Sequence, residues 1–280
     1  MAGVRTRVLH LSDLHFGRHD DARLEPGIEA LVERVQPELI VASGDLTHRG
    51  RPDQHDRAAR FLRGLGSPVV AVPGNHDIPY TPIARFTRTW RQFERHWETT
   101  EPVYRSDTLV VVGLNSVRPW LQQSGRLRTA QLQRARELLA EHPDGALRVA
   151  VLHHHLLGAP WRSRKKPVAR RSKVLAALVD AGAELILAGH IHQAALSERH
   201  EFEVVHGDIR GATVAIAPGL GQPRPNRRGE ARGLLVYEVE EEALTVETYI
   251  WREDDWGLTA VRRFPRGRGP LAAQPAPADG

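Results

Sequence analysis

Val69-Val70-Ala71-Val72-Pro73-Gly74-Asn75-His76-Asp77 is the stretch around which the 280-residue chain can be read. An apolar, β-type run ends in a glycine turn. The turn carries an amide that can offer a neutral oxygen to a metal, beside an imidazole that can hold or give a proton near pH 7. Gly74 is expected to let the backbone leave the strand in a conformation that most residues resist.

The same punctuation recurs on both sides. Upstream, Val8-Leu9-His10-Leu11-Ser12 delivers Asp13-Leu14-His15, and Leu39-Ile40-Val41-Ala42 ends in Ser43-Gly44-Asp45. Side chains two apart in extended chain point the same way, so Asp13 and His15 are expected to converge on one ion. Downstream, Val149-Ala150-Val151-Leu152 runs into His153-His154-His155, and Glu184-Leu185-Ile186-Leu187-Ala188 ends in Gly189-His190-Ile191-His192. Gly189 permits close approach, and its two following imidazoles can share a site. Alternation sets His153 and His155 opposite His154, so one register of the cluster should meet a metal.

Between these runs, helices are expected from Pro26 to Val35 (apolar face Ile28, Leu31, Val32, Val35), from Ala58 to Leu65, from Ala130 to Leu139 and from Val174 to Val179. Residues 83–98 read as one amphipathic helix with Ile83, Phe86, Trp90, Phe93 and Trp97 as core or as a cap over a cleft. Leu109 to Ser116 reads as a further buried strand. The continuous apolar runs, each followed by Asp or His, have the spacing of βαβ units, whose sites lie at the carboxyl ends of strands. After His192, β-type alternation at Val204-Val205, Val214 to Ala217, Leu234 to Tyr237 and Leu244 to Glu247 is expected to complete a second sheet. Residues 1–264 are expected to form one domain, and residues 265–280, rich in Pro, Ala and Gly, a disordered tail.

Composition narrows the chemistry. The chain has no cysteine, which excludes disulfides, iron-sulfur clusters and thiolate zinc sites, so any metal must rest on His, Asp, Glu or Asn. Fifteen histidines, several of them paired at strand ends, favour imidazole ligation. A net charge of +5 favours anionic partners such as phosphates, nucleotides or nucleic acid. The densest basic run, Trp161-Arg162-Ser163-Arg164-Lys165-Lys166-Pro167 and on to Arg170-Arg171-Ser172-Lys173, is either a solvated loop or a basic rim for a phosphorylated substrate. The N-terminus shows no apolar leader and no span for a membrane, so a cytoplasmic protein is expected.

Taken together and in order, Asp13-x-His15, Gly44-Asp45, Gly74-Asn75-His76-Asp77, the His153 to His155 cluster and Gly189-His190-Ile191-His192 resemble the calcineurin-like metallophosphoesterase superfamily across residues 7 to 192. The resemblance implies an α/β fold, a four-layer αββα sandwich of two mixed β-sheets flanked by helices, with two divalent metal ions at the strand ends. It places Asp13, His15 and His192 on one metal and Asn75, His190 and one histidine of the cluster on the other, with Asp45 bridging. His154 is the choice within the cluster. The family pattern of His, any residue and Pro meets Leu156 where the proline would stand, which keeps His153 open. His76 matches the nonligand histidine that contacts the phosphate and protonates the leaving oxygen, and Arg49 is a further candidate phosphate contact.

The donor set suits Mn, Fe, Zn or Co. Two such ions about 3.5 to 4 Å apart lower the pKa of a shared water toward neutrality, so a metal-bridging hydroxide is the expected nucleophile against a phosphodiester. The branch most similar is the bacterial class III cyclic-nucleotide phosphodiesterases, which implies a phosphorylated small-molecule substrate of 3′,5′-cyclic AMP type. Other phosphoesters remain as alternatives: nucleic-acid ends, glycerophosphodiesters or phospholipid headgroups. The serine/threonine protein phosphatases differ, with Asp-Arg-Gly where this chain has His48-Arg49-Gly50. A noncatalytic binding module would have eroded ligands, and none is missing here.

Overall fold

A computed structural model describes residues 6–18, 22–121, 123–159, 165–198, 211–221, 230–252 and 254–266. The three apolar runs expected to be strands before residue 75 are β1 (Thr6–Leu11), β2 (Leu39–Ala42) and β3 (Val69–Ala71), paired in parallel in that order. Two helices connect them: α1 (Leu24–Val35) and α2 (Pro52–Gly64), the latter starting on a proline whose missing N–H is harmless in a first turn. Then come α3 (Pro82–Thr87), α4 (Arg91–Trp97), β4 (Val103–Arg105), β5 (Leu109–Leu114), α5 (Thr129–Ala140), β6 (Leu147–Leu152), α6 (Arg171–Asp180) and β7 (Leu185–Ala188). The described residues end with β8 (Ala195–Glu198), β9 (Thr213–Ile216), β10 (Gly233–Val239), β11 (Ala243–Arg252) and β12 (Asp255–Pro265).

Two mixed six-stranded sheets result, ordered β12-β11-β10-β1-β2-β3 and β4-β5-β6-β7-β9-β8. Val8, Val41 and Val70 of the first sheet face Val111, Val149, Val151 and Leu187 of the second, and this shared layer is the centre of the core. The opposite faces are covered by α1, α2 and α4 on one side and by α5 and α6 on the other. Strands buried on both faces must be apolar throughout, which is why β2, β5 and β7 show no alternation. Burying each Val, Leu or Ile contributes about 1.5–3 kcal/mol, so the inter-sheet layer fixes the strand ends that carry the polar loops.

Three expectations need correction. The segments after His192 do not all complete the second sheet: β9 joins it, whereas β10, β11 and β12 extend the first, with β10 antiparallel to β1. Val204-Val205 lies outside the described residues. The helix expected over 83–98 is two, because the chain breaks at 88–90; Ile83 and Phe86 on α3 are exposed, while Phe93 on α4 is buried. The tail does not begin at 265, since Pro265 still pairs with Ala243 and Arg266 is buried with Nη2 3.2 Å from Glu184 Oε2. Residues 267–280 lie outside the described residues. Among the described residues no helix is long and apolar enough to cross a membrane.

Candidate metal centre

The loops leaving β1, β2, β3, β6 and β7 meet at one end of the two sheets. Asp13 Oδ1 lies 3.0 Å from His192 Nε2 and 3.8 Å from His15 Nε2, and the two imidazole nitrogens are 3.2 Å apart. Beside this trio, Asp45 Oδ1 is 3.4 Å from His153 Nε2, which in turn is 3.2 Å from Asn75 Oδ1 and 3.2 Å from His190 Nδ1. The other oxygen of Asp45, Oδ2, is 3.7 Å from His15 Nε2, so one carboxylate faces both groups.

The convergence has a backbone cause that strand alternation does not supply. Asp13 (φ 53°), His15 (φ 49°), Asp45 (φ 53°), His190 (φ 75°) and His192 (φ 58°) all lie past their strand ends in the left-handed region. A residue with a Cβ is uncommon there, and such strain collects at functional sites. Gly74, by contrast, has no positive φ. It is needed for space: a Cβ at this position would stand 2.1 Å from Asp45 N and 2.2 Å from Asp45 Oδ1. Gly189 answers the same need, its Cβ falling 1.8 Å from Ser12 Oγ.

Within the histidine cluster the structure corrects the choice of His154. His153 is the ring that enters the group, while His154 turns away to Ser116 Oγ at 2.8 Å. The reason is register. Val149 and Val151 point into the inter-sheet layer and Ala150 and Leu152 toward the helices, so the next odd position continues inward. His155 stacks on His190 with ring centroids 5.8 Å apart.

Neighbouring groups orient the donors. His153 Nδ1 donates to the Ser43 carbonyl at 2.9 Å and His190 Nε2 to the Gln123 carbonyl at 3.1 Å, which turns the opposite nitrogens into the group. Ser43 Oγ is joined to His10 Nε2 at 2.8 Å, and His10 Nδ1 to Tyr237 OH at 3.1 Å. Asp77 accepts from Gly74 N, Leu46 N, Thr47 N and Thr47 Oγ1, tying the Asn75 loop to the Asp45 loop. Sequence reasoning gave no role to Asp77, His10, Ser43, Tyr237, Ser116 or Gln123. Only Asp77, adjacent to His76, carried a signal.

The electrostatics fit a cation. Burial would raise the carboxyl of Asp13, but the charge and hydrogen bond of His192, with Lys165 and His153, hold it far below the carboxylate range. Asp45 is likewise lowered against its burial, by His153, His76 and His15. Burial opposes charge on His153, yet Asp45 and Asp13 push it up to about 9. His15 and His190 are driven well below their usual value, by burial above all. Asp13 Oδ1 and Asp45 Oδ2 are buried with no hydrogen-bond partner. Two orphaned carboxylate oxygens among imidazole nitrogens and an amide oxygen are the donor set of divalent transition ions.

His76 borders this centre: its ring meets that of His15 edge-on at 4.8 Å, and its backbone N–H donates to Asp45 Oδ1 at 2.8 Å. Its Nδ1 is 2.8 Å from both the His48 carbonyl and Tyr80 OH. Arg49 does not share the cavity that contains His76 and Asn75; it lines an adjoining cleft with Arg51, Arg88 and Arg91, with Tyr80 between the two. Of the basic run, residues 161–164 lie outside the described residues. Lys165 Nζ donates to the His190 carbonyl, and Arg171 and Lys173 open α6.

Residues 6–194 match the sequence profile of the family described as calcineurin-like phosphoesterase. A probable cyclic nucleotide phosphodiesterase of Synechococcus is 31% identical over 60% of this chain and 63% of its own length. The 3′,5′-cyclic adenosine monophosphate phosphodiesterase CpdA of Pseudomonas aeruginosa is 30% identical over 76% of this chain and 78% of its own. The fold is similar to that of a dimetal phosphatase from Danio rerio (TM-score 0.63, 12% identity, 94% of this chain and 99% of that one). It is also similar to a purple acid phosphatase from yellow lupin (TM-score 0.68, 12% identity, 94% of this chain and 54% of that one).

Proposed function

The chain belongs to the calcineurin-like phosphoesterase family, and from that membership we propose a dinuclear-metal phosphodiesterase acting on cyclic nucleotides. The observation that carries the reading is Asp45, whose two oxygens face two separate donor groups. Asp13, His15 and His192 would hold one ion, and Asn75, His153 and His190 the other, with Asp45 shared. Ions bound there would supply Lewis acidity to the phosphoryl oxygens and lower the pKa of water toward neutrality.

The chain's own residues do the rest. Hydrolysis joins a water oxygen to phosphorus and breaks the bond to the leaving oxygen, which needs a proton. His76, outside the two groups that Asp45 joins but touching His15, is the group to deliver it from Nε2, while the His48 carbonyl holds Nδ1. Asp45 holds the backbone of His76 in register with the centre. The described residues from 6 to 266 make one domain in this reading, since β10 to β12 complete the sheet that β1 begins. The likeness to relatives named as cyclic nucleotide phosphodiesterases supports a cyclic nucleotide as substrate.

The test is hydrolysis of bis(p-nitrophenyl) phosphate against p-nitrophenyl phosphate by metal-stripped protein refilled with Mn, alongside Asn75→Ala and His153→Ala. Diester cleavage that requires metal and collapses in both variants supports the reading. Preference for the monoester replaces it with a phosphatase, and metal binding without turnover of either ester replaces it with a binding module.

A further inference from the structure

A cavity of about 470 Å³ opens beside His76 and Asn75, away from the carboxylates of the centre. Three aromatic rings line it with much of their surface in solvent: Tyr80 (51% exposed), Phe86 (61%) and Trp120 (60%). Among the described residues only three other large apolar side chains are as exposed, and one of those, Ile83, is also on α3. Exposed rings gathered around one concavity call for an occupant.

The cavity is built rather than incidental. Its walls are α3 and the loop at Pro119 and Trp120, and Arg85 spans them: Nε donates to the Pro119 carbonyl at 2.6 Å and Nη1 to the Pro79 carbonyl at 3.4 Å. Tyr80 OH, 2.8 Å from His76 Nδ1, joins the aromatic wall to the proton donor.

We propose that this cavity is the leaving-group subsite and takes a planar nucleobase stacked on Trp120 and Phe86, with Arg85 holding the two walls at that spacing. The proposal rests on the phosphodiesterase reading above and names its specificity. Position gives the first argument: whatever is bonded to the leaving oxygen must lie beside the group that protonates it, and His76 lines this cavity. Charge gives the second. An aromatic box also suits a quaternary ammonium group, but the described residues lining this one include Arg85 and no carboxylate. A cationic headgroup is therefore disfavoured, whereas a neutral base, which has a π-face whatever its identity, is accepted.

The Mn-loaded wild type, Trp120→Ala, Trp120→Phe and Phe86→Ala proteins should be compared on 3′,5′-cyclic AMP and on glycerophosphocholine. Trp120→Ala is expected to raise KM for the cyclic nucleotide about tenfold or more, with kcat within about threefold, and Trp120→Phe to restore it. Glycerophosphocholine, whose leaving group enters the same cavity without a base to stack, should lose much less. Equal losses on both substrates, no loss on either, or a wild type that prefers glycerophosphocholine would overturn the subsite. If wild type cleaves no diester, the phosphodiesterase reading fails by itself, and binding of adenosine 5′-monophosphate to metal-free protein, followed by NMR titration, decides the subsite. Binding that Trp120→Ala abolishes upholds it; binding that is absent, or equal in both proteins, ends it.

Discussion

His76 Nδ1 lies 2.8 Å from the backbone carbonyl oxygen of His48. The acceptor that orients the proposed acid is thus main chain, and the residue type at 48 is immaterial to it. His76→Ala should lower turnover of an alkyl phosphodiester by about 10²–10⁴-fold, the usual contribution of a positioned acid. The loss should shrink with p-nitrophenolate as leaving group, which departs without a proton. His48→Ala keeps the carbonyl and should stay within a few-fold of wild type. Steady-state kinetics on the two ester types distinguishes these outcomes; equal losses for both leaving groups would remove His76 as the acid.

The register of β6 separates two neighbouring histidines. His153→Ala should reduce the bound metal measured by elemental analysis and abolish hydrolysis. His154→Ala takes the ring nitrogen from Ser116 Oγ, which keeps the residue 154 backbone N–H, and should cost about 1–3 kcal/mol of stability while metal content persists. Metal loss in His154→Ala with retention in His153→Ala would reverse the assignment.

Metal binding should be linked to protons. His153 in the metal-free protein keeps its proton up to about 9 because Asp45 faces it, and an ion requires the neutral ring. Affinity for Mn should therefore rise with pH, about tenfold per unit for one displaced proton, and level off near pH 9. Calorimetry in buffers of different ionisation enthalpy reads the proton release.

The stability of the metal-free protein should follow a different curve. A folded-state pKa above the unfolded value of about 6.5 means that the His153 interaction stabilises the fold fully below pH 6.5 and is lost as pH climbs toward 9. On the acid side the sign reverses: burial holds His10 at about 3 and His155 at about 4, so unfolding takes up protons as pH falls from 6.5. A thermal midpoint highest near pH 6–7 is expected, and a midpoint that rises steadily from 6 to 9 would contradict the His153 assignment.

Gly74→Ala tests packing at the turn. The new methyl meets Asp45 N and Oδ1, neither of which is the free end of a flexible side chain. Strain of about 1–3 kcal/mol and displaced metal binding are expected, seen as a lower thermal midpoint and reduced metal content. An unchanged metal content would show that the Asp45 loop can yield.

Much of this site was legible because buried parallel strands must be apolar throughout and their ends must not be. The runs ending at Ala42, Val72, Leu152 and Ala188 announced themselves, and so did the Asp, Asn and His residues beyond them. What stayed hidden was nonlocal. Whether His153 or His154 turns inward depends on which face of β6 meets the other sheet, and Val149 and Val151 declare that only once the sheet is known. The partition of β9 from β10 to β12 rests on long-range pairing, for which the alternating patterns are interchangeable. Asp13 and His15 do come within 3.8 Å of each other, but left-handed backbone rather than strand alternation brings them together.

That backbone has a bearing on what the donors cost the fold. In a left-handed conformation a residue with a Cβ costs roughly 1–2 kcal/mol, and five of the proposed donors stand in it. Trading Asp13 or His192 for glycine would relieve that cost, even after about 0.5–1 kcal/mol for glycine's greater freedom in the unfolded chain. Removing Asp13 would, however, strand the Ser12 hydroxyl and the His190 N–H that its buried Oδ2 accepts, at about 1–3 kcal/mol, so the hydrogen bonds around the donors hold in place the strain their backbone carries.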